Sequence, residues 1–293
     1  MDSNKKSASK QDLGLDPVKL DTIIRHALVE DIGKGDITTQ LTIPKDKRIE
    51  AEVVVKEDCI ICGLKVAERV FDISDKGIDF KLLVKEGQAV KKGKSVIKLS
   101  GLAGSILTAE RVALNLMSML SGIATKTREY VKEIEPYKVK ITDTRKTIPG
   151  LRELQKYAVR IGGGHNHRMG LDEMVLIKDN HIKVTEGYTK LPSIPKGFKI
   201  EIETQNIEEF KHALKFKPNV IMLDNMDLKQ IKQAVQIRNS TEFTSHHLPT
   251  KLEASGGIDI TNVKQIAASG VDMISIGELT HSFASTDICL EIL

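Results

Sequence analysis

The sequence predicts an α/β protein, and three features predict it. Between Ile49 and Ser100 the β-rich runs AEVVV, FKLLV and SVIKL alternate with turns. After Lys138 the apolar runs KVKIT, MVLIK, FKIEIE, NVIML, LEASG and MISIG alternate with the amphipathic stretches LRELQKYAV, IEEFKHAL, DLKQIKQAV and TNVKQIAA. That is the strand and helix rhythm of a parallel sheet closed, or nearly closed, into a barrel. Finally, 293 residues exceed the roughly 100–150 of a typical domain, so one large barrel or two domains are expected.

Along the chain, MDSNKKSASKQ has basic residues with no apolar run behind them and reads as a disordered tail over residues 1–12, not a signal peptide. Leu20, Ile23, Ile24, Ala27 and Leu28 recur at helical spacing, and the helix breaks into a loop at EDIGKGDITT. The run EGQAVKKGKSVIKLSG resembles half of a biotinyl or lipoyl carrier module, but no exposed lysine hairpin accompanies it, so only fold likeness is expected. Thr108 is the expected N-cap of a long helix through ERVALNLMSMLSGIATKTREYV, too densely apolar for a surface helix and therefore a buried link between domains. Arg111 would then sit in its first turn, where the helix dipole disfavours a cation and a bound anion would compensate it.

Composition excludes some classes. With 40% hydrophobic and 29% charged residues and no uninterrupted apolar stretch of about 18 residues, a membrane role is not expected. Three cysteines cannot complete a disulfide framework, which fits a cytoplasmic protein. Cys59 and Cys62 form a CxxC with no second ligand pair and suit small buried side chains better than zinc. A net charge of +4 does not call for nucleic acid, but basic residues outnumber acidic ones between Lys138 and Lys183, where an anionic ligand is expected.

The six strand-like runs end in DTRK, KDNH, ETQN, LDN, EASGG and SIGE. In a (β/α) barrel those ends converge on the active site. Arg145 and Lys146 offer a planar fork and a point charge for carboxylate or phosphate. Downstream, IGGGHNHRMG brings three glycines to His167 and Arg168, a setting in which backbone contact with a ligand is expected. Lys178 closes an apolar run; it either pairs with Asp179, binds an anion or, less favoured among so many cations, acts as a Schiff-base lysine. Glu201 and Glu203 share one strand face, and Glu203 and Asp224 at the mouth suit Mg²⁺ or ribose hydroxyls, or else salt bridges to Arg145 or Lys178. Ser255, Gly256, Gly257 and Gly277 expose backbone where late barrel loops hold phosphate.

These residues carry a resemblance. EDIGKGDITT, TAERVALNLMSMLSGIAT, ITDTRKTIPGLRELQKYAVRIGGGHNHRMG, LIKDNHI, LDN, LEASGGI and SIGELTHS together resemble the quinolinate phosphoribosyltransferases, over nearly the whole chain after the tail. The resemblance implies an N-terminal α/β sandwich domain over 13–117, joined by the C-terminal segment 280–293, and a seven-stranded open (β/α) barrel over 118–279. It implies conversion of quinolinate and PRPP to nicotinate mononucleotide, pyrophosphate and carbon dioxide for NAD synthesis, with Mg²⁺ and no organic cofactor. It implies a homodimer with shared sites in which the partner subunit's Arg111 joins Arg145, His167, Arg168 and Lys178 on the quinolinate carboxylates. Lys146, Glu203, Asp224, Ser255, Gly256, Gly257 and Gly277 would bind PRPP. Of these, Lys146, Lys178, Glu203 and Asp224 would be catalytic, and Glu203 and Asp224 would hold the metal.

The chain departs from the family pattern at 184–197, with two prolines and little periodicity, and at 238–251, which is long for a connection. Two alternatives stand beside the main reading: a phosphoribosyltransferase for nicotinate or another ring acid, and a catalytically silent phosphosugar-binding barrel.

Overall fold

The computed structural model describes residues 14–185, 197–240 and 250–293. The expected tail and most of both departures from the family pattern fall outside them. Helix α1 (Pro17–Ile32) starts where the Asp16 carboxylate accepts from Val18 N and Lys19 N with proline at the helix start, and it stops at Gly33, φ 56°. The expected loop after it contains a short helix, α2 (Ile37–Thr42), because Asp36 accepts from Thr39 N. Then come β1 (Arg48–Val55), β2 (Cys59–Ile60), α3 (Leu64–Ser74), β3 (Asp79–Leu82), β4 (Ala89–Val90) and β5 (Ser95–Leu102).

Helix α4 (Ala103–Glu133) follows β5 directly. Thr108 is therefore not its N-cap. That place falls to Leu102, and the Thr108 hydroxyl instead donates to Asp36 Oδ2 at 3.1 Å, tying α2 to α4. Arg111 accordingly lies well inside the helix, and the dipole argument for an anion beside it falls. By length and composition α4 could cross a membrane, but 67% of its most apolar stretch is buried inside the protein, as expected of a core helix.

The barrel elements are β6 (Lys140–Thr142), α5 (Arg152–Gly162), β7 (Val175–Ile177), α6 (Asp179–Val184), β8 (Ile200–Thr204), α7 (Ile207–Leu214), β9 (Val220–Asp224), α8 (Leu228–Asn239), β10 (Lys251–Ser255), α9 (Val263–Ala267) and β11 (Met273–Ser275). Short α10 (Glu278–His281) and β12 (Ile288–Ile292) end the chain. All six predicted barrel strands form, in one parallel sheet ordered β6-β11-β10-β9-β8-β7. His165 makes an isolated parallel bridge with Thr142, adding a seventh, one-residue pairing outside β6. The open seam lies between this segment and β7, and Arg168 crosses it by donating to the Met174 carbonyl at 3.0 Å.

The other main sheet is antiparallel, β12-β1-β5-β3, so the last residues of the chain pair with its first strand. Helix α4 runs unbroken through residues 117 and 118 and packs on both α3 and α5. Its contact with α5 explains the triple glycine. A Cβ on Gly162 would lie 2.5 Å from Thr127 Cβ, and one on Gly164 would lie 2.9 Å from Thr127 Cγ2. Gly163, φ +98°, caps α5. The glycines serve helix packing rather than contact with a ligand, and none lines the cavity described below.

Candidate active site

The C-terminal ends of the barrel strands enclose a cavity of about 740 Å³. Arg145, Lys146, His167, Arg168, Lys178, Asp224, Ser255, Gly256, Gly257 and Gly277 all line it. Glu203 reaches it indirectly, by an ion pair 2.5 Å from Lys178 Nζ. Arg111 does not line it: its side chain is exposed on α4, 3.9 Å from Glu110.

Lys178 is less buried than the sequence suggests, at 43% side-chain exposure, and its partner is Glu203 rather than Asp179, which pairs with Lys183 on the next helical turn. The Schiff-base alternative weakens accordingly, because the amine is tied to a carboxylate. Alternation along β8 places Glu201 and Glu203 inside, and both are buried.

Arg145 and Arg168 form the cationic end. Neither makes an ion pair among the described residues, and Arg145 Nε is buried without a hydrogen-bond partner. Burial, and next the Arg145 charge, hold the Arg168 guanidinium below its ordinary basicity. Two half-buried guanidiniums that repel each other, offset on the Arg168 side by the Glu201 charge, are an arrangement that a bound anion stabilises.

His167 joins this end to the barrel interior. Its Nε2 lies 3.0 Å from Glu201 Oε2 and 3.6 Å from Glu253 Oε1. Burial disfavours a charge on the ring, while the Glu201 hydrogen bond and the Glu253 charge favour it and raise the affinity for a second proton. The Arg168 N–H opposes that second proton, because it needs the Nδ1 lone pair at 2.8 Å, and so fixes the existing one on Nε2. Underneath, Asp143 accepts from Lys156 Nζ, Asn166 and His167 N, all around an ion pair with no exposed surface. Burial pushes the Asp143 carboxyl up and the Lys156 ammonium down, and their mutual attraction offsets this. The pair fixes the His167 backbone.

At the opposite end, Gly256 (φ +86°) and Gly257 (φ +61°) turn the backbone after β10, and a Cβ at Gly256 would lie 2.3 Å from Asn225 Oδ1. Gly277 leaves room for the Lys146 stem, 3.2 Å from where a Cβ would stand. Asp224 accepts from its neighbour Asn225; burial, then the Glu203 charge, raises its carboxyl above the usual range. A carboxylate of this kind suits a hard divalent cation, so Asp224 is the residue that would hold Mg²⁺. Glu203 fits less well, since Lys178 already neutralises it.

Thr144, Asn225 and Glu253, which belong to the polar strand endings DTRK, LDN and EASGG, also line the cavity, as does His281; none of the four is among the candidate residues singled out from the sequence. A signal for Glu253 was present: it precedes Ser255 by two residues in a strand, so the two share a face. Cys59 and Cys62 are both buried, and burial pushes the Cys59 thiol up to about 11.

The chain matches two family models, "Quinolinate phosphoribosyl transferase, N-terminal domain" over residues 36–121 and "Quinolinate phosphoribosyl transferase, C-terminal domain" over residues 123–291. It is 44% identical to a probable nicotinate-nucleotide pyrophosphorylase [carboxylating] of Synechocystis sp., over 87% of this chain and 86% of that one. A Bacillus subtilis protein of the same name is 39% identical over 94% of both. The solved nicotinate-nucleotide pyrophosphorylase of Francisella tularensis superposes with a TM-score of 0.89 at 39% identity, over 98% of this chain and 100% of that one. With both domains matched in sequence and the barrel mouth built from the motif residues, the chain belongs to the quinolinate phosphoribosyltransferase family.

Proposed function

We propose that this chain joins quinolinate to PRPP with loss of carbon dioxide, forming nicotinate mononucleotide. The observation that carries the reading is the pair Arg145 and Arg168 at one end of the cavity, neither of which makes an ion pair among the described residues. A diacid answers two guanidiniums with two carboxylates, where nicotinate would answer with one. His167, held by Glu201, and Lys178, held by Glu203, complete that end.

Lys146 and the turns at Ser255–Gly257 and Gly277 line the far side, where backbone N–H groups suit a sugar phosphate. Asp224 and Glu203 would stand beside the sugar and stabilise positive charge developing at its anomeric carbon. Mg²⁺ would be held by Asp224, with Glu203 committed to Lys178, and would supply positive charge to the departing pyrophosphate. Catalysis is then positioning and electrostatics, without a covalent enzyme intermediate. The shared site of a homodimer, with the partner subunit's Arg111 completing the cationic end, and a cytoplasmic location belong to the same reading. The exposed Arg111 side chain and the three unpaired cysteines support them.

The test is PRPP-dependent release of labelled carbon dioxide from quinolinate. Arg145→Ala should raise the quinolinate KM or abolish turnover while the thermal transition persists. Preference for nicotinate, or unchanged kinetics in the variant, would sink the reading.

A further inference from the structure

We infer that Glu253 is a catalytic acid, which hands a proton to the ring carbon that has just lost carbon dioxide. This deepens the function proposed above and rests on it. Glu253 sits on the inner face of β10 and lines the cavity on the same wall as His167, yet it is only 1% exposed. Its Oε1 is buried without a hydrogen-bond partner, and so is the Ser275 hydroxyl oxygen from the adjacent strand β11.

The groups that act on it are Glu201 from β8, His167 from the loop before β7, Asp143 after β6 and Ser275. Two of these are carboxylates, and the His167 proton is already directed at Glu201. A neutral carboxylic acid is the form that fits this place. Burial, followed by the Glu201 charge, pushes the Glu253 carboxyl up to about 8, so it keeps its proton at neutral pH.

The chemistry needs one proton. The bond between the ring carbon and its carboxylate breaks, and the electron pair stays on the ring carbon beside the alkylated, positively charged nitrogen. The O–H bond of Glu253 then breaks as the new C–H bond forms, leaving a carboxylate that regains its proton from solvent after product leaves. Nothing is oxidised or reduced.

Other donors at this end are committed. Lys178 is bound to Glu203, Arg145 and Arg168 are guanidiniums that do not give up protons, and both His167 nitrogens are engaged, with Glu201 and with Arg168 N.

The test compares wild type with Glu253→Gln and Glu253→Asp, using carboxyl-labelled quinolinate and PRPP from acid to alkaline pH. Loss of a positioned acid should lower kcat on the order of 100-fold, with quinolinate KM near wild type and partial recovery in Glu253→Asp. In wild type, kcat should fall as pH rises through about 8, and that limb should vanish in Glu253→Gln. Unchanged kcat in the glutamine variant, a loss confined to KM, or a wild-type profile without the alkaline limb would overturn the inference. A wild-type protein that fails to consume quinolinate at all would instead remove the functional reading beneath it.

Discussion

At the scale of single residues, the site buries titratable groups that folding alone does not favour. Glu253 binds its proton more tightly folded than unfolded, since burial raises its carboxyl from 4.5 to about 8. Between those values the unfolded chain releases a proton that the folded chain keeps, so this residue's contribution to stability falls as pH rises through that window. Glutamine has no proton to release. Glu253→Gln should therefore raise stability at pH 7 by an amount on the order of 2 kcal/mol and flatten the dependence of Tm on pH between 5 and 8. An unchanged or lowered Tm would show that Glu253 is ionised in the folded protein. Residue by residue, the sequence made the inward pair Glu201 and Glu203 legible through alternation. The same rule applies to Glu253, which shares a strand face with Ser255 in the polar ending EASGG. The salt bridge of Glu203 to Lys178 forms as one of the alternatives the sequence allows, whereas Lys156 with Asp143 could not be paired from sequence, because the two meet through tertiary packing.

At the scale of elements, periodicity located all six barrel strands and failed where one segment answers to another. The three glycines of IGGGHNH look like a ligand loop in isolation; in the fold they are the floor on which α4 crosses α5. Gly162→Ala would place a methyl group 2.6 Å from the Ala124 carbonyl oxygen. Moving α5 off α4 to accommodate it should cost about 2 kcal/mol, visible as a lower denaturation midpoint at unchanged m-value. A neutral result would mean the two helices are less closely apposed. Capping shows the same dependence on context. Thr108 had the right chemistry for an N-cap but sits inside α4. The start of α3, by contrast, begins at Gly63 with no side-chain cap of its own, and is served by the Glu86 carboxylate accepting from Gly63 N and Leu64 N.

At the scale of the whole molecule, the unabsorbed motif residue is Arg111. Every other family-matched residue lines the cavity or pairs with one that does, whereas Arg111 points outward from α4 with most of its side chain exposed. Its position inside the helix removes the local electrostatic reason for an anion beside it, so a role at an active site requires a second copy of the chain. Under the proposed shared site, Arg111→Ala and Lys146→Ala should each be close to inactive on their own. If the partner subunit's Arg111 completes a site, a mixed dimer carries one site that lacks both residues and one that lacks neither. Mixing the two variants under conditions where subunits exchange should then restore activity up to about one quarter of wild type, since half of the dimers are mixed and half of their sites are intact. Exchange can be followed separately with differently tagged subunits. Full exchange without recovered turnover would place Arg111 in its own subunit's chemistry or outside the reaction, and would leave the cationic end to Arg145, His167, Arg168 and Lys178 alone.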